Sequence, residues 1–147
     1  MQTKGHIMYP FHLAFPVTDL DATRRFYIEK LGCPAGRSSP GQWLDFDLFG
    51  HQMSAHLRKS DAVTAPATGT VDGDAVPIPH FGVVLDMATF DALAEKLSAD
   101  DSTDWIIHPK RRMVGQPGEQ ATLFVRDPSG NGIEFKAFAD KAAIFAT

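Results

Sequence analysis

One phrase occurs twice in this chain. "HLAFPVTDL" begins at His12 and "HFGVVLDM" at His80, each a histidine heading an apolar run of strand type that ends at an aspartate before a helical pattern. The first continues "DLDATRRFYIEKLG", with Asp19 placed to cap a helix, Leu20, Tyr27 and Leu31 on one face, and Gly32 as a stop. The second continues "DMATFDALAEKL", where Phe90, Leu93, Ala94 and Leu97 form the stripe of an amphipathic helix. Both helices close on "EKL", at 29–31 and 95–97. A repeated core strand accounts for the apolar residues. It does not account for the histidines.

Short strand candidates follow each helix. They are "QWLDFDLF" and "HQMSAHLR" in the first half, and "DWIIH", "ATLFVR" and "NGIEFKAF" in the second. The "DPSG" turn at 127–130 joins the last two as a hairpin. Residues 60–79, "SDAVTAPATGTVDGDAVPIP", lack periodicity and read as a connector. The expectation is one α+β domain over residues 1–147. In it, paired βαβββ modules at about 10–59 and 78–138 form one curved mixed sheet, with a concave metal-binding face and helices outside. Composition alone, at 44% apolar and 22% charged, also permits a ferredoxin-like α+β domain.

Charge narrows the partners. A formal net charge of −4 gives no electrostatic reason to expect nucleic acid. The single cysteine, Cys33, excludes an internal disulfide and suits a reducing cytoplasm. The opening "MQTKGHIMYPFH" has no continuous apolar h-region, and no stretch is long enough to span a bilayer. A cytoplasmic protein with no membrane partner is expected.

Side chains on a strand alternate between faces. Phe11, Leu13 and Phe15 form one face of the first strand and His12 with Ala14 the other; Phe81, Val83 and Leu85 oppose His80 and Gly82. Each histidine thus has a very small residue two positions on, leaving room beside its ring. In the last strand Ile133, Phe135 and Ala137 are the apolar face and Glu134 points away from it; His56 shares a face with Gln52 and Ser54. His12, His56, His80 and Glu134 are therefore expected on the concave side. A carboxylate on an apolar strand is costly to bury alone, and a divalent cation or an ion pair offsets that cost. His6, His51 and His108 read as structural or solvated, and Cys33 as packing. Lys110, Arg111 and Arg112 read as a solvated loop, with steering of an anionic substrate as the alternative. The segment "HPKRRMVGQPGEQ", residues 108–120, suits a flap over the cavity mouth or an inert surface loop.

"FHLAFPVTDLDATRRFYIEKLGC", "PHFGVVLDM" and "RDPSGNGIEF" resemble the vicinal oxygen chelate superfamily. Its members include glyoxalase I, bleomycin-resistance proteins, fosfomycin-resistance transferases and extradiol dioxygenases. The resemblance spans roughly residues 10–138 as one paired-module domain. "WLDFDLFGHQMSAHL", "VPIPHFG" and "GQPGEQATLFVRDPSGN" are most similar to a group of small bacterial proteins of extradiol-dioxygenase type. The resemblance implies that His12, His80 and Glu134 are metal ligands on the first, fifth and eighth strands. Such a 2-His-1-carboxylate face leaves open positions and suits non-haem Fe(II), with Zn, Mn, Ni and Co as alternatives.

It implies a homodimeric dioxygenase whose substrates are O2 and an aromatic or enediol-like small molecule that chelates the iron. His56 lies on the strand where glyoxalase I has a carboxylate ligand, and near which extradiol enzymes place an acid–base histidine. It is expected to be that base, losing two to four orders of magnitude in turnover when replaced, with a fourth ligand as the alternative. Catechol-type extradiol enzymes carry a tyrosine ten residues before the glutamate; here the residue is Phe124. The competing readings are a glyoxalase-type lyase or isomerase using Zn, Ni or Co as a Lewis acid, a Mn-dependent transferase, and a metal-free binding protein. Members of the last kind generally lack the ligand set.

Overall fold

Both aspartates that close the repeated phrase cap helices. Asp19 accepts a hydrogen bond from the backbone N–H of Ala22 at 2.9 Å, and Asp86 one from Thr89 at 2.8 Å. The computed structural model describes residues 9–58, 67–71 and 73–147; His6 lies outside them. The first half runs β1 (His12–Val17), α1 (Leu20–Arg24), a π-helical turn (Arg25–Lys30), β2 (Ala35–Ser39), β3 (Trp43–Leu48) and β4 (His51–Leu57). Next come β5 (Ala67–Val71) and β6 (Asp74–Ile78). The second half repeats the order with β7 (Phe81–Leu85), α2 (Met87–Ser98), β8 (Trp105–Arg112), β9 (Gln120–Arg126) and β10 (Gly132–Phe138).

The strand orders are the same twice over: β1-β4-β3-β2 and β7-β10-β9-β8. In each module the first strand and its neighbour are parallel, and the other pairs are antiparallel. This is an α+β fold of paired βαβββ modules, as the repeat implies. The hydrogen bonding corrects one detail: the module strands form two four-stranded sheets, with β5 and β6 a separate two-stranded sheet, and β1 and β7 each end as an edge.

A shared core joins the modules instead. Phe15, Tyr27, Phe46 and Leu48 belong to one cluster with Phe90, Leu97, Leu123, Ile133 and Phe135. The Phe15 ring lies 5.0 Å from that of Phe81, and Tyr27 stacks on Phe46 at 4.5 Å. Each large side chain removed from water contributes roughly 1.5–3 kcal/mol, so core burial can hold together modules that share no strand ladder. Phe11 departs from its expected place under the helix and is 64% exposed.

Two segments differ from their sequence reading. The supposed connector contains the β5–β6 hairpin, turned at Gly73 with φ +85°, while residues 60–66 lie outside those described. The supposed loop at 108–120 begins as strand, because β8 runs through Arg112.

Candidate functional site

His80 sits just before β7, with its Nδ1 2.7 Å from the carbonyl oxygen of Pro77. A carbonyl can only accept, so Nδ1 carries the hydrogen and donates it. That fixes the ring and directs Nε2 towards Glu134, whose Oε1 lies 3.4 Å away. The other carboxylate oxygen, Oε2, accepts from the hydroxyl of Thr122 at 2.7 Å. Imidazole and carboxylate are thus each held from behind and face each other. Such outer hydrogen bonds are what orient metal ligands. A neutral His80 presents a lone pair to a carboxylate oxygen, which a divalent cation stabilises; a protonated His80 makes an ion pair. Both side chains keep about a fifth of their surface open, at 23% and 19%, so the pair is reachable from solvent.

The backbone around the pair is tight. A Cβ on Gly82 would lie 1.5 Å from the carbonyl oxygen of Glu134. Gly82 is therefore small because β7 approaches β10 closely, and not to clear space beside an imidazole. A Cβ on Gly132 would meet Pro77 at 2.6 Å and Phe124 at 2.9 Å, so the hairpin reaches the sheet there. The Phe124 ring meets His80 edge-on at 4.7 Å and is 1% exposed.

His12 heads β1, exposed and in register with Gln52. Among the described residues no three His, Cys, Asp or Glu side chains come within metal-binding range. One chain therefore brings His80 and Glu134 together and leaves His12 apart from them. His56 is opposite Pro16 and Trp43, four residues beyond the position beside His12. Four residues of strand is about 13 Å, which removes His56 from the place beside His12 that the sequence suggested. It lines a cleft of ≈ 420 Å³ with Ala14, Phe15, Pro16 and Arg58.

The remaining residues follow simpler roles. His51 accepts the backbone N–H of Phe11 through Nδ1, and His108 stacks on Trp105 at 5.0 Å. Burial, with Asp47 nearby, pushes the Cys33 thiol up to about 12, so it is no nucleophile at neutral pH. Sequence reading missed Thr122, Pro77 and Asp127. Buried Asp127 accepts from Tyr27 of the other module at 2.8 Å and from Ser129 and Asn131. Thr122 carries a legible signal, since alternation in β9 and β10 sets it on the face of Glu134.

The family model described as the Glyoxalase/Bleomycin resistance protein/Dioxygenase superfamily matches residues 10–135. The chain belongs to this superfamily. A solved structure from Alicyclobacillus acidocaldarius, described as a glyoxalase/bleomycin resistance protein/dioxygenase, is 31% identical with a TM-score of 0.74, covering 92% of this chain and 96% of that one. A lactoylglutathione lyase from Agrobacterium tumefaciens shares the fold at 24% identity and a TM-score of 0.60, covering 86% and 91%. So does a fosfomycin resistance protein from Listeria monocytogenes, at 16% identity and 0.64, covering 89% and 93%. No curated protein matches the chain. Members of the superfamily are mostly metalloenzymes acting on small molecules, and many are dimers. Among the described residues no helix is long and apolar enough to cross a membrane.

Proposed function

We propose that this protein is a metal-dependent dioxygenase of extradiol type, acting in the cytoplasm on O2 and an aromatic or enediol-like small molecule. The observation that carries the reading is the His80–Glu134 pair, its Nε2 and Oε1 turned to each other by Pro77 and Thr122. Those residues fit a divalent cation, with His12 as the third ligand. Non-haem Fe(II) there would supply activation of O2 and of the substrate's adjacent oxygens.

Because His12 stands apart within one chain, His12 of the partner subunit completes the set in a homodimer. The frequency of dimers in the superfamily supports this. The residue beside His12 on β4 is Gln52, a neutral amide, and His56 is two pleats away. Among the described residues, β4 therefore sets no carboxylate or imidazole in register with His12 as a fourth ligand. This favours a centre with open positions over the four-ligand arrangement. His56 instead contacts the far end of a bound substrate from its own cleft.

A second reading, a glyoxalase-type lyase or isomerase using Zn, Ni or Co, draws on Phe124. That residue puts an apolar ring against His80 where a hydroxyl would assist a catecholate. Anaerobic purification, metal analysis and O2 uptake with a panel of vicinal diols and enediols separate the two. Iron-dependent O2 consumption supports the dioxygenase. Turnover of an enediol precursor without O2 uptake supports the lyase.

A further inference from the structure

The concave face of the first module runs on beyond His12. His12, Ala14 and Pro16 of β1 lie on it, in register with Gln52, Ser54 and His56 of β4. On these two strands only Ala14 and Ser54 stand between the His12 row and the His56 row, and both are small. Ser54 is also held flat, 6% exposed, with its hydroxyl donating to Asp45 of β3 at 2.6 Å. The two histidines therefore bound a shallow channel about 13 Å long. Both belong to one sheet, so the channel is the same however modules or copies meet.

The His56 end of this channel is positive. Arg58 follows two residues later on the same face, about 7 Å along the strand. Both side chains line the cleft of ≈ 420 Å³, and among the described residues no carboxylate lines it. The carboxylates of neighbouring elements are engaged, Asp45 by Ser54 and Asp19 by the N–H of Ala22. Among the described residues no acidic side chain is paired with Arg58. Across the β3–β4 ladder His56 faces Trp43, and the Arg37 guanidinium lies over that ring at 5.6 Å. The chain as a whole carries a net charge of −4, so this cleft is no part of a generally basic surface. A guanidinium beside an imidazole repels a metal cation and attracts an anion. The imidazole N–H and the guanidinium fork are donors that one oxyanion group can share.

We propose that His56 and Arg58 bind a carboxylate or phosphoryl group of the substrate, at the end of the channel opposite His12. This rests on the proposed metal centre for the substrate's other end and adds the substrate class. The substrate is an elongated small molecule whose chelating oxygens and acidic group lie roughly 10 Å apart. A simple catechol is too short to reach both ends and carries no acidic group for the cleft.

Titration of the metal-free protein with phenyl phosphate and with benzoate tests the cleft independently of the metal centre. The readout is the NMR shifts of the backbone amides of His56 and Arg58 and of the indole N–H of Trp43. Saturable shifts are expected at these groups. Arg58→Gln and His56→Gln should each weaken binding by about tenfold. Arg58→Lys keeps the charge and should weaken it less. Tighter binding of phenyl phosphate assigns the phosphoryl group, and tighter binding of benzoate the carboxylate. Retained amide dispersion reports folding, and either glutamine variant alone suffices. Affinity unchanged in a folded glutamine variant, or shifts confined to other regions, overturns the proposal. Saturable shifts here together with no iron-dependent O2 uptake would sink the dioxygenase reading and leave the anion cleft standing.

Discussion

Thr122 touches no substrate in this account, yet the carboxylate of Glu134 depends on it for orientation. Thr122→Val keeps the shape and removes the hydroxyl that holds Oε2. Affinity for a divalent metal should fall by roughly 10–100-fold with the fold intact, as measured by metal titration. Unchanged affinity would show that Thr122 does not orient the ligand. His56→Ala should keep its metal and lose only about tenfold or less in turnover, because a group two pleats from His12 cannot take a proton at the centre. A loss of two to four orders of magnitude would restore His56 as the base.

Asp127 gives a test of stability. Its carboxyl is raised above the ordinary 3.8 because burial disfavours the ionised form more than the hydrogen bonds from Asn131 and Tyr27 favour it. The folded state then binds the proton more tightly than the unfolded one. Stability from this group is full below the unfolded value and declines as pH rises through the folded value. The stability advantage of wild type over Asp127→Asn should therefore shrink as pH rises above about 4, in urea unfolding at a series of pH values. An advantage that grows with pH would contradict this. That His80 and Glu134 lie on one face was legible from strand alternation. Asp127 was not: "DPSG" has the polar signature of a surface turn, and its burial comes from Tyr27, a hundred residues earlier.

At the scale of elements, the close approach of β7 to β10 is the feature to perturb. Gly82→Ala puts a methyl group into the carbonyl of Glu134 and should cost about 2 kcal/mol or more, read from denaturant unfolding. A neutral effect would mean that β7 can move away freely. Both helices were readable, the first because cap, stripe and stop agree and the second from its apolar stripe, and the caps observed are Asp19 and Asp86. Strand β2 was not, since "AGRSS" has no apolar alternation and lies exposed at the sheet edge. The β5–β6 hairpin was hidden by its glycines and prolines. Strand β8 shifts register twice, between Trp105 and Ile107 and again between Ile107 and Lys110, and only its pairing partners on β9 show where.

For the whole molecule, the repeat foretold the two matching modules but not how they meet. Sequence alternation says which face a side chain takes within its own sheet. It carries no information on whether the two concave faces belong to one cavity or look outward separately. That is why His12 was expected beside His80 and Glu134, whereas one chain joins only the latter two. On the proposed reading the metal centre belongs to two copies. Anaerobic Fe(II) titration of His12→Ala, of Glu134→Ala, and of a co-expressed mixture of the two tests it most directly. Each variant alone should bind no metal at its centre. Mixed dimers should regain one site each, formed by the wild-type His12 of one copy with His80 and Glu134 of the other. Full binding by either variant alone, or a mixture that stays empty although mixed dimers form, would contradict it.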